Sequence, residues 1–332
     1  MSKVYFFSEY GDRIGLGHVT RLSTISSQLV KFGREVEFIL YNKGFKELNL
    51  PYPTKYINWI AGDMQIERYL TKKDIAVVDS YLASKDVFKR IGLNAKYTFA
   101  IDDYNRIEYP VDFVLNPNVY GESVQYTDSL PEFLLGSKYS LLRNEILSYK
   151  KETSSPTQTS LFVTMGGSDY RGLIPKLMPF FISLKKKGYV VNIVCGSEEY
   201  KKELQISFPE MGNSVFGYLD ADRMFLFMHQ SDIAISAGGQ TLIELSYIGL
   251  PFIPIEIDLD QEENINFFKS NRLVHSRIKW DDRDLELKLS EVLESVNSWD
   301  ERERFRIQSQ KLVDGRGADR VAQYIINKMQ ND

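Results

Sequence analysis

The chain has almost no cysteine: Cys195 is the only one in 332 residues. An intramolecular disulfide is excluded, and so is a metal centre built from several thiolates. Nor is there an excess of positive charge. Lys and Arg number 41 against 45 Asp and Glu, a net charge of −4, whereas general nucleic-acid binding needs a basic stripe. Long hydrophobic runs are missing too. The apolar run that starts at Val4 is too short for a signal peptide or a membrane span. The expectation is a cytoplasmic enzyme with no integral membrane segment and no nucleic-acid partner. Histidine is scarce as well, with 3 in all, so the position of each one is informative.

What is present suits a globular enzyme. Hydrophobic residues make up 43% and charged residues 26%, the ordinary balance of a folded chain. The length suits two domains, and 20 Phe with 20 Tyr supply large side chains for two cores. Short apolar runs at 4–7, 36–40, 75–78, 98–101 and 113–115 read as strands. Between the first two, Leu22, Ile25 and Leu29 share one helical face, and Gly33 ends that helix. The polar segment 151–158 is the linker candidate, giving domains at 1–150 and 158–332. Beyond it, runs at 161–165, 190–195, 214–216, 233–236 and 252–255 read as strands separated by helical segments. Residues 281–330 read as mostly helical, with the last stretch expected to cross back onto the first domain. This alternation predicts an α/β protein of two Rossmann-like domains facing a cleft, each a parallel sheet with helices on both faces. Ligands of such sheets bind beyond the carboxyl ends of the strands.

After the first strand, Glu9 precedes a loop running through Gly15-Leu16-Gly17-His18 to Arg21. The two glycines allow a tight turn and close approach of backbone to ligand. His18 falls at a helix N-terminus, where a neutral imidazole can take a proton. A histidine that only caps the helix would occupy the same place. The helix dipole disfavours an imidazolium there, so a nearby anion, Glu9 or Asp79, has to support it. Position 20 is Thr where a dinucleotide fingerprint has its third glycine, which disfavours NAD; no cofactor is expected.

In the second half, three strand ends are rich in small residues: Gly166-Gly167, Gly196 after Cys195, and Gly238-Gly239-Gln240-Thr241 opening a helix. Free amides of the last turn suit a diphosphate without a P-loop lysine. Glu244 suits ribose hydroxyls, or else pairs with Thr241 as a capping box. Asp220-Ala221-Asp222 and Asp258-Leu259-Asp260 have a metal-binding spacing, but capping explains the first pair better, and no metal is expected. Asp102-Asp103 follows a strand, either facing the ligand or as an exposed loop pair. Cys195 reads as a small buried thiol.

Several of these pieces carry a family resemblance. They are Ile14-Gly15-Leu16-Gly17-His18 with Arg21, Asp79-Ser80-Tyr81, Ile101-Asp102-Asp103, Leu115-Asn116 and Gly136-Ser137-Lys138-Tyr139. Met165-Gly166-Gly167-Ser168-Asp169, Ser236-Ala237-Gly238-Gly239 with Glu244, and Gln261 with Asn264 follow. In this order they resemble the UDP-sugar hydrolases of the pseudaminic acid pathway and the related spore-coat polysaccharide biosynthesis proteins. The resemblance spans nearly the whole chain and implies a glycosyltransferase B-like fold. It also implies metal-independent hydrolysis of a UDP-linked deoxy-diacetamido sugar in surface-polysaccharide or nonulosonic acid biosynthesis. Carried over, His18 activates the attacking water and Tyr81 positions sugar or water. Glu9, Gly15, Gly17, Arg21, Asp79, Asp260 and Gln261 fall on the sugar side. Gly166, Gly167, Gly196, Gly238, Gly239, Gln240, Thr241 and Glu244 hold UDP.

There is one departure. Where the hydrolases often carry Arg-x-Asp at the end of the first strand, this chain has Phe7-Ser8-Glu9. The alternative is an inverting, metal-independent glycosyltransferase with a UDP-sugar donor, because Gly17-His18-Val19-Thr20-Arg21 also suits sugar transfer. A non-catalytic nucleotide-sugar binder and an epimerase are further readings.

Overall fold

β-Branched and aromatic runs bounded by turn residues form the strands, and amphipathic stretches between them form the helices. The computed structural model describes all residues except 1, 12–13, 62–65, 127–130, 154–158, 168 and 331–332. The chain divides into two units, Met1–Arg143 with Gly315–Asp332, and Asn144–Asp314.

The first unit holds β1 (Val4–Glu9), β2 (Val36–Tyr41), β3 (Thr54–Tyr56), β4 (Ile75–Asp79), β5 (Tyr97–Ile101), β6 (Phe113–Asn116) and β7 (Glu132–Leu135). They form one parallel sheet in the order β3-β2-β1-β4-β5-β6-β7. Every residue of β1 is buried, as expected of a strand covered on both faces. Val4 and Phe6 pack with Leu22, Ile25 and Leu29 of α1 (Gly17–Lys31) and with Val321, Ala322 and Ile325 of α10 (Gly317–Gln330). On the other face, Tyr5 and Phe7 join Val87, Phe88 and Ile91 of α2 (Lys85–Asn94). Gly33, with φ +71°, follows the end of α1, a left-handed position that suits glycine.

The second unit holds β8 (Ser160–Thr164), β9 (Val190–Val194), β10 (Val215–Phe216), β11 (Ile233–Ala237), β12 (Phe252–Glu256) and β13 (Ile278–Lys279). Their parallel order is β10-β9-β8-β11-β12-β13. The helices are α3 (Leu173–Lys186), α4 (Glu198–Ser207), α5 (Ala221–Gln230), α6 (Thr241–Ile248), α7 (Glu262–Ser270), α8 (Leu285–Val296) and α9 (Trp299–Leu312). In each sheet the strand order reverses direction at one point, β1/β4 in the first and β8/β11 in the second. Such switch points are where open α/β sheets bind ligands.

Three short edge strands were not expected: β3 and β13 carry no apolar run, and β7 has only Phe133-Leu134-Leu135. The division between the units falls at Arg143/Asn144, ahead of the polar segment 151–158. Lys151 is buried, its amide donating to Ile248 O at 2.9 Å and its ammonium to Ser231 O. That end of the segment is packed structure, while 154–158 lie outside the described residues. Among the described residues, no helix is long and apolar enough to cross a membrane.

Candidate active site

The switch point of the first sheet gathers charged side chains. Strand β1 ends in Glu9, β4 in Asp79, β5 is followed by Asp102 and Asp103, and β6 ends in Asn116. Register places Ser8 beside Asp79 and Asp79 beside Ile101, so these residues share one sheet edge.

Gly15, at φ +68°, donates its amide to Gly11 O at 2.8 Å and turns the chain into α1. Gly17 is the first residue of α1 and His18 the second; no side chain caps this helix. A histidine cap is therefore not what His18 provides. Its ring is 3% exposed, and Nδ1 lies 2.5 Å from Asp79 Oδ1. Between the two anions offered by the sequence, Asp79 is the one bonded to the imidazole.

Arg21 lies one turn further along α1. Its Nε donates to Asp79 Oδ2 at 3.0 Å and its Nη2 to Asp79 Oδ1 at 2.9 Å. Its other edge reaches Asp103, with Nη1 to Oδ1 at 2.6 Å and Nη2 to Oδ2 at 3.2 Å. Tyr81 donates its hydroxyl to Asp103 Oδ2 at 2.7 Å, and Asn118 Nδ2 donates to Oδ1 at 2.7 Å. The Tyr81 ring stands edge-on to His18, with centroids 4.3 Å apart.

Burial alone opposes a charge on Asp103, but Arg21, Tyr81 and Asn118 outweigh it and hold its carboxyl down at about 2. For Arg21 too, burial works against charge; Asp79 and Asp103 prevail and raise its pKa. Tyr81 is pushed the same way by burial and by the Asp103 carboxylate, so its hydroxyl stays a donor. Glu9 differs. Burial pushes its carboxyl up, against the Ser80 hydroxyl, the amides of Tyr81 and Leu82, and His18. Its Oε1 accepts from those amides at 2.8 and 3.1 Å, while Oε2 is buried with no hydrogen-bond partner among the described residues.

This geometry corrects two expectations. Asp79 is 1% exposed and both its oxygens are bonded within the cluster, so it holds His18 and Arg21 rather than a sugar. Glu9, also 1% exposed, shapes the turn after β4. Asp102 and Asp103, equivalent in the sequence, separate. Asp102 accepts from Tyr109, Tyr126 and the amide of Arg106 and is structural, whereas Asp103 belongs to the cluster. From the sequence Asp103 entered only as half of the Asp102-Asp103 pair, and Asn118 was not singled out. The available signal was the alternation of side-chain direction past a strand end.

The switch point of the second sheet is built from backbone instead. Gly166 and Gly196 have φ +86° and +87°, and a Cβ on Gly196 would lie 2.5 Å from Gly167 O. The turn after β11 corrects the expected row of free amides. Gly238 N donates to Gln261 Oε1 at 3.0 Å and to Ile255 O at 3.1 Å. The amides of Gly239, Gln240 and Thr241 have no partner among the described residues. Gln261 Oε1 also accepts from Ile257 N at 3.1 Å, so this side chain staples the ends of β11 and β12 together. Gln240, not Thr241, occupies the N-cap position of α6, and no side chain caps it, so Thr241 and Glu244 do not form a capping box. Glu244 lies in the first turn of α6, and Asp260 is exposed on the turn Leu259–Gln261.

Asp220 caps α5 through Arg223 N at 2.9 Å. Cys195 is buried, and burial raises its thiol pKa. Among the described residues, no three His, Cys, Asp or Glu side chains are grouped to hold a metal. A cavity of about 450 Å³ lined by Lys150, Lys151, His229 and Asp232 includes none of the expected site residues.

Known proteins share this architecture. The crystal structure of Acinetobacter baumannii MurG superposes with a TM-score of 0.67 at 15% identity, covering 98% of this chain and 99% of that one. The fold is glycosyltransferase B-like. Within this fold, residues 160–318 match the glycosyltransferase family 28 C-terminal domain. A UDP-glucosyltransferase from Polygonum tinctorium gives a TM-score of 0.66 at 13% identity, covering 100% of this chain and 99% of that one. A putative UDP-N-acetylglucosamine 2-epimerase from Listeria monocytogenes gives 0.62 at 12% identity, covering 100% and 98%. An uncharacterised protein of Methanocaldococcus jannaschii is 24% identical over 290 residues, covering 82% of this chain. The match spans 60% of that relative's length.

Proposed function

We propose that this glycosyltransferase B-like protein is a UDP-sugar hydrolase with His18 as its base. The observation that carries the reading is the buried His18–Asp79 pair at the sheet edge where such folds bind ligand. The carboxylate of Asp79 supports the positive charge that His18 gains on taking a proton, which the helix N-terminus alone would oppose. His18 Nε2 takes a proton from water, the water oxygen bonds to the anomeric carbon, and the bond from that carbon to the UDP oxygen breaks. UDP leaves as the diphosphate. Tyr81, edge-on to the imidazole, orients the water or the sugar.

In the second unit, the free amides of Gly239, Gln240 and Thr241 stabilise the leaving diphosphate as a helix N-terminus does. Gly166, Gly167 and Gly196 leave room for it, and Glu244 binds the ribose. Gly15 and Gly17 keep the approach to His18 open, since a Cβ on either would meet nothing within 4 Å. Asp260 and the Nε2 of Gln261 contact the sugar. A deoxy-diacetamido sugar and a role in surface-polysaccharide or nonulosonic acid biosynthesis follow from the family resemblance.

A second reading is an inverting glycosyltransferase, favoured by the family 28 match over residues 160–318. One experiment separates the two. Purified protein is incubated with a panel of UDP-sugars, with and without a chelator, and UDP release is followed. Release without any acceptor, insensitive to chelator and lost in His18→Ala, is the expected result. UDP binding without turnover until an acceptor is added would establish the transferase.

A further inference from the structure

Hydrogen bonding fixes the direction of one side-chain amide at the first sheet edge. Asn118 follows the end of β6 and joins the charged cluster through Asp103. Its Nδ2 lies 2.7 Å from Asp103 Oδ1 and 3.1 Å from Asn116 Oδ1. Both of those atoms act as acceptors. Asp103 is a carboxylate, with its pKa down at about 2. Asn116 Oδ1 also accepts from the backbone amide of Asn118 at 3.1 Å, while Asn116 Nδ2 donates to Asp103 O at 3.2 Å. The Asn116 amide can therefore face no other way. An amide nitrogen has two hydrogens, and Asn118 commits both inside the cluster. Its Oδ1 is turned away from Asp103 and Asn116 and has no partner among the described residues. The residue is half-buried, and unlike Glu9 Oε2 this oxygen is not sealed from solvent.

We propose that Asn118 is a specificity-determining residue of the sugar site, whose fixed Oδ1 accepts a hydrogen bond from one hydroxyl or amide N–H of the sugar. This rests on the UDP-sugar reading above and adds to it which substituents are admitted. Asn118 shares the sheet edge of the His18–Asp79 pair and is linked to it through Asp103 and Arg21. Ligands of open α/β sheets bind at that edge. A hydroxyl there would rotate to suit either kind of partner, but an amide whose nitrogen is engaged can only accept. A sugar without a hydrogen to donate at the facing position leaves Oδ1 covered and unpaired, and the site rejects it.

The test is a double-mutant cycle between residue and ligand. Full-length protein is titrated by calorimetry with UDP-glucose, UDP-galactose and their 2-acetamido counterparts. For the tightest binder, analogues are compared in which one hydroxyl becomes fluorine or the acetamido N–H becomes methylene. The variant is Asn118→Leu, similar in shape and without polar atoms. It leaves Asp103 Oδ1 with Arg21 Nη1, and Asn116 Oδ1 with the backbone amide of residue 118, so neither acceptor is orphaned. In the unaltered protein, substitution at one position of the sugar is expected to weaken binding about tenfold. In Asn118→Leu that analogue should bind as well as its parent. The KM for UDP release should follow Kd, with kcat unchanged.

Analogue losses that are the same in both proteins overturn the proposal. So does a fall in kcat without such coupling, which is what an oxygen holding only the attacking water would give. If Asn118→Leu does not fold, Asn118→Ala carries the same cycle. If neither folds, the unaltered protein decides: rejection of a single analogue supports the proposal and tolerance of all overturns it. Coupling in Kd without UDP release keeps the role of Asn118 and sinks the hydrolase; release without coupling does the reverse. If none of these UDP-sugars binds, both fall.

Discussion

The two sheets end in opposite kinds of chemistry. At the β1/β4 switch point of the first unit, side chains do the work: an imidazole, a guanidinium and two carboxylates are bonded to one another out of solvent. At the β8/β11 switch point of the second, glycines turn the chain, and the amides of Gly239, Gln240 and Thr241 have no partner among the described residues. The same topology therefore ends in two kinds of surface. Moving a proton needs ionisable groups at fixed spacing, whereas holding a diphosphate needs room and unpaired N–H groups. The first edge should be sensitive to loss of charge, and the second to added carbon.

The largest effect is expected from removing the cation of the first edge. Arg21→Met leaves Asp79 and Asp103 buried without their shared partner, and uncompensated buried charge costs about 3–5 kcal/mol. Urea unfolding measures it; a change under 1 kcal/mol (about the surface ion-pair scale) would put Arg21 outside the packed cluster. Next comes the second edge. Gly196→Ala places a Cβ against the Gly167 carbonyl at positive φ, a strain of about 1–3 kcal/mol, and should weaken UDP binding measured by calorimetry. Gly15→Ala, with open space around its Cβ, bears only the φ strain of its own residue. If the two glycine variants lose equal stability, the close approach of the Gly167 and Gly196 turns is not what demands glycine.

Gln261→Ala should cost less, about 1 kcal/mol, because the Gly238 amide keeps its bond to Ile255 O and only the Ile257 amide loses its partner. It should loosen the α6 turn and raise the Kd for UDP while sparing the first edge.

The smallest effect is a pH dependence that has opposite signs within one edge. Asp103, held at about 2, stabilises the fold above the unfolded value of about 3.9, and that contribution is lost as pH falls toward 2. Glu9, with its carboxyl pKa raised by burial, contributes in the other direction: its stabilisation is present below the unfolded value and is lost as pH rises through the folded one. Acid titration of unfolding free energy in Asp103→Asn and Glu9→Gln should flatten opposite limbs of the curve.

The sequence made the central strands plain because they are buried on both faces and read as apolar runs. It hid β3 and β13, which carry no such run, and β7, whose Phe133 and Leu135 are only half-buried. At the site, His18 and the glycine turns were legible as types at known positions. The choice of Asp79 over Glu9 as the partner of His18 was not, since it depends on how β1, β4 and α1 meet although 61 positions separate the two side chains. The different fates of Asp102 and Asp103 depend on which way each points after β5. The structural part of Gln261 was hidden for a similar reason: its carbonyl is engaged by amides of two different turns, which no local pattern reveals.

Helix α10 carries a consequence of another kind. Its Ala318, Val321, Ala322, Ile325 and Ile326 belong to the same core as β1 and α1, and Gly317 lies so close to Ser140 that a Cβ there would fall 2.1 Å from its carbonyl oxygen. The first unit is therefore closed by a segment that follows the whole of the second in the chain. The second unit is contained within residues 144–314, whereas the first lacks a helix until residues 317–330 have been made. A chain ending at Asp314 should show a protease-resistant second unit and a first unit that is still open to cleavage.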